Sequence, residues 1–397
     1  MKRWSSIAAI AVLCLALVLG AACGGGEEEE VTEVKFGFGA PWVGILGAFV
    51  GLPAMQGIEL ASEMIGEFTV AGESYRWNVI CLDNGYTIGG GMASANRFIF
   101  EDRVKFMHQT GADAALAAQP ICEEKGVLLS ISGAGMEAFD PDKPHTFQFS
   151  PTYMVHTPVL FQWLTTAHPE VETVAIAVGD DRTGQEIRGA AVIAAEYFDL
   201  EVVYKDLHPA YTTEFSHLAH KLVREEPDLF IGNPLILKAM REIGWDGLAA
   251  FHGWSRVTAA QAGWDNVQGL LVYQPNPFGE ELPQEVKDFA AEYQVRYEGQ
   301  EFTMSSYYSA TILYVMTDAL KKAGTLDDVD KIIDVLETET FDTWIGPLRF
   351  GGQGLIDTDH LLMWPAPIAE ISDHDYHVIF DEMSADEAEA LAVEVYK

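Results

Sequence analysis

The side chains able to do chemistry in this chain are scattered, and they do not assemble into a catalytic set. His108, His145, His156, His208, His217, His220 and His252 stand apart in the sequence. His217 and His220 share one helical face, but no His-Glu-x-x-His pattern or third ligand follows to hold a metal. No Gly-x-Ser-x-Gly elbow presents a nucleophile, and Gly89-Gly90-Gly91 precedes no phosphate-loop lysine. The pattern points away from an enzyme and implies no metal or cofactor.

What remains suits the holding of a small molecule. Gln109-Thr110-Gly111-Ala112-Asp113 places a helix start at about Ala112, where free backbone N–H groups favour an anion. Asp113 there reads first as an acid that stabilises the helix dipole. Turned into a pocket, it would repel an anionic ligand. Gly133-Ala134-Gly135 either lets backbone approach a ligand closely or is a bare turn. In Asp180-Asp181-Arg182-Thr183-Gly184, Arg182 could clamp a carboxylate, although pairing with Asp180 or Asp181 is the plainer reading. Asn233 and Ser255 follow strands, as cleft residues must. Trp42, Phe49, Trp254, Tyr273 and Tyr307 offer aromatic walls, each also suited to a core. Trp42 and Trp254 stand out because they follow strands at a cleft edge.

The elements that must position these residues alternate strand, turn and helix. Strands are expected at 34–39, 77–82, 104–107 and 127–132, with helices at 52–65, 88–102 and 112–125 between them. The rhythm restarts with strands at 171–178, 200–205, 229–232, 248–252 and 270–273, and helices at 184–198, 214–224 and 235–243. Helices at 285–297, 305–323 and 328–336 follow, and 349–380 reads as mostly extended. Such alternation implies α/β architecture, with parallel sheets covered on both faces. Two doubly wound lobes would put a ligand at the carboxyl ends of their strands, between them.

Sixty acidic residues against 24 basic ones give a formal charge of -36. Nucleic acid binding needs basic stripes to neutralise phosphate, and there are none. Docking onto an anionic leaflet is disfavoured for the same reason. The carboxylates read as a solvated face.

The N-terminus reads as an export signal. Lys2 and Arg3 precede an apolar run over 7–19, too short for the roughly 20 residues of a membrane-spanning helix. Gly20-Ala21-Ala22-Cys23 ends it, and Gly24 to Gly26 with Glu27 to Glu30 forms a charged tether that cannot bury anything. A cysteine so placed resembles the lipobox of bacterial lipoproteins, with Gly20 standing where a larger aliphatic residue is usual. Residues 1–22 are then a signal peptide, Cys23 the acylated first residue and 23–33 the tether. That location permits a disulfide between Cys81 and Cys122. One reads as mid-strand and the other as a helix end, which favours two free thiols.

Beyond the tether the chain resembles the type I periplasmic-binding-protein fold, in the leucine/isoleucine/valine-binding branch of ABC-transporter substrate-binding lipoproteins. The likeness covers about 34–364. It rests on Gly57-Ile58-Glu59-Leu60-Ala61, Cys81-Leu82-Asp83-Asn84, Glu124-Lys125-Gly126-Val127, Glu214-Phe215-Ser216, Glu226-Pro227-Asp228 and Ile345-Gly346-Pro347-Leu348-Arg349-Phe350, in that order. The resemblance implies two lobes joined by a three-strand hinge, crossed near 150–151, 274–275 and 344–350. Lobe 1 would take 34–150 and 276–343, and lobe 2 would take 151–275 and 344–397. It implies a monomer that closes over a solute and engages a membrane permease, or alternatively a sensor that presents its solute to a membrane receptor. Matched position by position, the family's carboxylate-binding serine falls on Ala112, leaving Thr110 the nearest hydroxyl, with Gly111 between them. Its ammonium-binding threonine falls on Gly135 and its stacking tyrosine on Thr183. Its ammonium-binding glutamate falls on Ser255 or Trp254. Those departures argue against an ordinary α-amino acid and for a carboxylate, an amide or an amino-acid-like solute.

Overall fold

The alternation builds two sheets, each the centre of one lobe, in a computed structural model that describes residues 31–397 apart from Ala134, Ala210, Tyr211, Glu280 and Glu281. Cys23, the signal and all but the last three residues of the tether lie outside the described residues. The chain first lays down β1 (Thr32–Ala40), β2 (Glu67–Val70), β3 (Glu73–Asp83), β4 (Phe106–Thr110), β5 (Leu128–Ser132) and β6 (Thr146–Gln148). It crosses and forms β7 (Thr173–Gly179), β8 (Glu201–His208), β9 (Leu229–Gly232), β10 (Leu248–Phe251) and β11 (Leu270–Val272). It returns for β12 (Thr340–Thr343), β13 (Gly346–Gly351) and β14 (Leu361–Met363), then crosses again for β15 (Ile368–Ser372) and β16 (Asp375–Phe380). The first sheet runs β12-β13-β14-β6-β5-β4-β1-β3-β2 and the second β16-β15-β11-β10-β9-β7-β8. The strands from β14 through β6, β5, β4 and β1 to β3 are parallel, as are those from β8 to β11. The mixed α/β fold with two mainly parallel sheets is therefore as expected.

The helix expected at 52–65 starts earlier than the sequence says: helical backbone begins at Gly44 and runs through a π turn (Gly47–Gly51) into α1 (Leu52–Ile65), so Pro53 does not open it, while Gly66, at φ 61°, ends it as expected. Helix α2 (Ala112–Lys125) ends on Gly126 in the left-handed region. Helix α3 (Tyr153–Ala167) was not expected, because its first two turns are buried on every side and show no amphipathic period. Helix α4 (Arg182–Tyr197) follows β7, α5 (Met304–Ala323) lies against α1, and α6 (Ala385–Tyr396) closes the chain behind a Ser384–Glu387 capping box. Helix α6, too, was unforeseen.

The third crossing corrects the expected lobe boundary. Residues 344–350 do not leave lobe 1: β12 and β13 form an antiparallel hairpin around Gly346 (φ 102°), and β13 continues through β14 into the first sheet. Trp344 holds the hairpin down. It is buried against Phe289 and Tyr314, and its indole N–H donates to Thr311 Oγ1 at 2.9 Å. The chain leaves the first sheet only after Met363. There Trp364, fully buried, donates its indole N–H to the Phe149 carbonyl at 2.8 Å, tying the third crossing to the first. The apolar core has three parts: one within lobe 1, one within lobe 2 and one that runs from α2 through α3 into α4. Cys81 and Cys122 are free, and burial pushes the Cys122 thiol up to about 12.

Candidate binding site between the lobes

Polar residues at the ends of apolar strands mark the site. Strand β4 is buried along its whole length, yet it ends His108-Gln109-Thr110. Such groups need partners inside the protein. His108 Nδ1 lies 2.8 Å from Ser130 Oγ and Nε2 lies 3.2 Å from Thr110 Oγ1, while its ring stacks on Phe38. Gln109 donates to Ser94 Oγ and accepts from the Asn84 side chain. The strand therefore carries a braced polar end into the space between the lobes.

That space is a cavity of about 250 Å³. Lobe 1 contributes Tyr86, His108, Thr110, Gly111, Ser132 and Gly133, with Leu46, Val50 and Ala54 from the approach to and start of α1. Met304, Ser305, Tyr308, Ser309 and Ile312 come from the first turns of α5. Ser150, Pro151 and Gln274 belong to the crossings, and Tyr153, Thr183 and His252 to lobe 2. Two glycines are structurally required here. Gly111 sits at φ 96°, and a Cβ on it would lie 2.5 Å from the Tyr86 ring. Gly133, at φ 70°, offers its carbonyl to the Thr183 hydroxyl of the other lobe at 2.9 Å, and a Cβ there would strike that hydroxyl at 2.7 Å.

No side chain in the lining carries a charge at neutral pH. Burial pulls both His108 and His252 down to about 3, so each is a neutral imidazole. Burial likewise holds Tyr153 and Tyr308 well above the ordinary phenol range. The charges nearby are used at the rim. Arg182, heading α4, donates from Nε to Asp113 Oδ1 at 2.9 Å and from Nη1 to Glu137, both across the cleft. The expected pairing with Asp180 or Asp181 is not formed; Asp181 instead caps its own helix by accepting from Gly184 N at 2.7 Å. On another side of the lobe contact, Glu301 accepts from the backbone N–H groups of Arg256 and Val257. Exposed ion pairs such as those of Arg182 are worth about 0–1 kcal/mol each.

The structure brings four of the expected site residues together in the lining: Thr110, Gly111, Gly133 and Thr183. Ala112 lies just behind, buried in the core at the start of α2. Ala134 is outside the described residues. The others stand elsewhere for identifiable reasons. Trp42 is 45% exposed, with its backbone N–H held by Asp83. Phe49 sits between two lining residues, Leu46 and Val50, without joining them. Gly135 begins a short 3₁₀ turn and has open space around its α-carbon. Asn233 and Ser255 spend their side chains as helix caps, on Leu235 and Thr258 respectively. Trp254 packs in the lobe 2 core against Trp264, and Tyr307 in the lobe 1 core against Trp344 and Trp364. Tyr273 is buried, with its hydroxyl unpartnered. The residue after Tyr307, Tyr308, is the one that faces the cavity.

Sequence reasoning missed Tyr86, Tyr153, His252 and Gln274. The signal for Tyr86 was Asn84-Gly85-Tyr86, a turn in which Tyr86 itself takes φ 56°, an unusual conformation for a bulky residue. His252 and Gln274 carried the same signal as Thr183, a place just after a strand, which was not used for them; Tyr153 had none.

Two covered sheets with a cavity between them at their strand ends form the fold of a two-lobed binding protein. The chain belongs to the periplasmic binding protein family, whose model matches residues 33–375. No curated protein matches it. Among solved structures it is similar to a leucine-binding protein from Thermotoga maritima, with 17% identity and a TM-score of 0.73 over 87% of this chain and 98% of that one. It is equally similar to an ABC-transporter solute-binding protein from R. palustris in complex with 4-hydroxybenzoate (18%, 0.75, 88% and 98%). A branched-chain amino acid binding protein from Streptococcus pneumoniae in complex with isoleucine gives 17%, 0.70, 88% and 99%. At these identities the likeness shows the fold.

Proposed function

We propose that this protein is the extracytoplasmic solute-binding component of an ABC uptake transporter. It clamps a small organic solute between its lobes, and that solute is not an ordinary branched-chain amino acid. The reading rests on one observation above the rest: the lining holds no acidic side chain to receive an α-ammonium group. Asp113 faces Arg182, Asp181 caps a helix, and neither Gly135 nor Ser255 reaches the cavity. A desolvated ammonium without a partner costs several kcal/mol. Similar folds that carry 4-hydroxybenzoate, benzoate or 3,4-dihydroxybenzoic acid support a ring-bearing solute.

The mechanism is closure of the lobes over the solute at three crossings, after which the permease engages the closed form. Cys23, acylated, holds the protein at the outer face of the membrane; among the described residues no helix is long and apolar enough to cross one. Cys23→Ser should move the protein from the membrane fraction to the soluble exported fraction, and unchanged membrane retention would refute the anchor.

Titration calorimetry tests the solute class. Leucine, isoleucine and valine should show no binding tighter than millimolar. Micromolar leucine binding, lost in Asp113→Ala, would overturn the assignment.

A further inference from the structure

We infer that the protein carries its own closing latch: carboxylates of lobe 1 seat on two helix starts of lobe 2 beside the cleft, and they hold part of the solute-free population closed. The latch rests on the solute clamp proposed above and adds to it a closing force that does not come from the solute.

The two helix starts are built alike. Helix α4 follows β7, and the helix Arg256–Ala262 follows β10. Each is capped from within lobe 2, by Asp181 accepting from Gly184 N and by Ser255 accepting from Thr258 N at 3.0 Å. Each is then met from lobe 1. At the second, Glu301 accepts from Arg256 N at 2.9 Å and from Val257 N at 3.3 Å, two first-turn N–H groups that the Ser255 hydroxyl does not take. The next residue, Phe302, is buried in the lobe 1 core, so this carboxylate travels with lobe 1. At the first, Arg182 reaches Asp113 and Glu137 on two different segments of lobe 1, and Thr183 donates to the Gly133 carbonyl.

Glycines let the lobes approach this closely on both sides. Gly133 does so opposite Thr183, and a Cβ on Gly253, just ahead of the second helix, would lie 2.5 Å from Met304 Sδ of α5. Every one of these bonds has an end in each lobe, so parting the lobes breaks them all. Hydrogen bonds to a charged group are the stronger kind, and the partial positive charge of a helix start adds to the pull on a carboxylate. Asp113, Glu137, Arg182 and Glu301 all lie outside the cavity lining. Their contribution is therefore the same for any solute, and it shifts the balance of open and closed forms before a solute arrives.

Small-angle scattering of protein dialysed free of solute tests the latch. Asp113→Asn, Glu137→Gln and Glu301→Gln together remove the three lobe 1 charges. The triple variant should have a larger radius of gyration than wild type, and Glu301→Gln alone should give a smaller rise. The backbone N–H groups of Arg256 and Val257 should exchange with solvent at least tenfold faster in both. Glu67→Gln, Glu196→Gln and Glu201→Gln, three exposed carboxylates outside these contacts, make the same change in net charge and should leave the radius unmoved. Equal radii for wild type and the triple variant would overturn the latch, as would an equal rise in the control. Either result leaves the solute-binding reading standing. That reading falls only if a broad panel of organic solutes leaves the melting temperature of the wild type unmoved.

Discussion

Glu186→Gln should stabilise the protein by about 3 kcal/mol at neutral pH and flatten its stability between pH 4.5 and 8. Glu186 lies on α4, beneath the first crossing. Thr152 donates to its Oε1 at 3.3 Å, and Oε2 is enclosed without a partner. Burial raises its carboxyl from the ordinary value of 4.5 to about 8, the Thr152 bond opposing only weakly. The folded state therefore keeps a proton that the unfolded chain has released. Stability from this group is full below about pH 4.5, falls as pH rises toward 8, and is level above. One retained proton corresponds to about 1.4 kcal/mol per pH unit across that window. Glutamine keeps the shape and cannot ionise, so it avoids the loss. Tyr273 and Tyr396, whose hydroxyls are also enclosed and unpartnered, are held above the ordinary phenol range, chiefly by burial and in part by this carboxyl. Chemical denaturation at several pH values checks the prediction. Equal slopes for wild type and variant would mean that Glu186 ionises freely in the folded state.

Gly57→Leu should cost about 3 kcal/mol or more, because it attacks backbone rather than side chain. A Cβ on Gly57 would lie 2.4 Å from the Ser306 carbonyl oxygen and 2.6 Å from its Cα, where α1 and α5 cross. The same contact is bound by Ser309 of α5 donating to the Ala54 carbonyl at 2.6 Å. Forcing the axes apart breaks that bond and opens the lobe 1 core. Because Ala54 and Ser309 also line the cavity, the variant should bind solute poorly even when folded. Gly89→Ala is the control: Gly89 is exposed in a helix and a Cβ there meets nothing. It should be neutral or slightly stabilising. Equal melting temperatures for wild type and Gly57→Leu would contradict the packing described.

The sequence disclosed the fold better than the site, for physical reasons. The C-terminal ends of the helices at 52–65 and 112–125 were legible because Gly66 and Gly126 punctuate them, whereas the first of these begins earlier, at Gly44, through a π turn that Pro53 does not mark. Helix α3 was not, since a segment buried on all sides has no period to read. The third crossing was misplaced because it was carried over from the family resemblance, whereas 344–350 turns a hairpin into β13 that Trp344 buries; Pro365 and Pro367 lie in the true crossing. In the site, Thr110, Gly111, Gly133 and Thr183 could be found because residues after strands face a cleft. Trp254 and Tyr307 have the composition of a wall and the location of a core, a distinction that only packing decides. His252 and Gln274 also stand just after strands, but that position does not say which of the post-strand residues reach the cavity.

In the proposed mechanism the lobes close over a solute at the three crossings. Small-angle scattering measures it directly, with and without a saturating solute whose binding calorimetry has established. The radius of gyration should fall on binding, toward the arrangement in which Arg182 reaches Asp113 and Glu137 and Thr183 reaches Gly133. An identical radius at full occupancy would contradict the clamp.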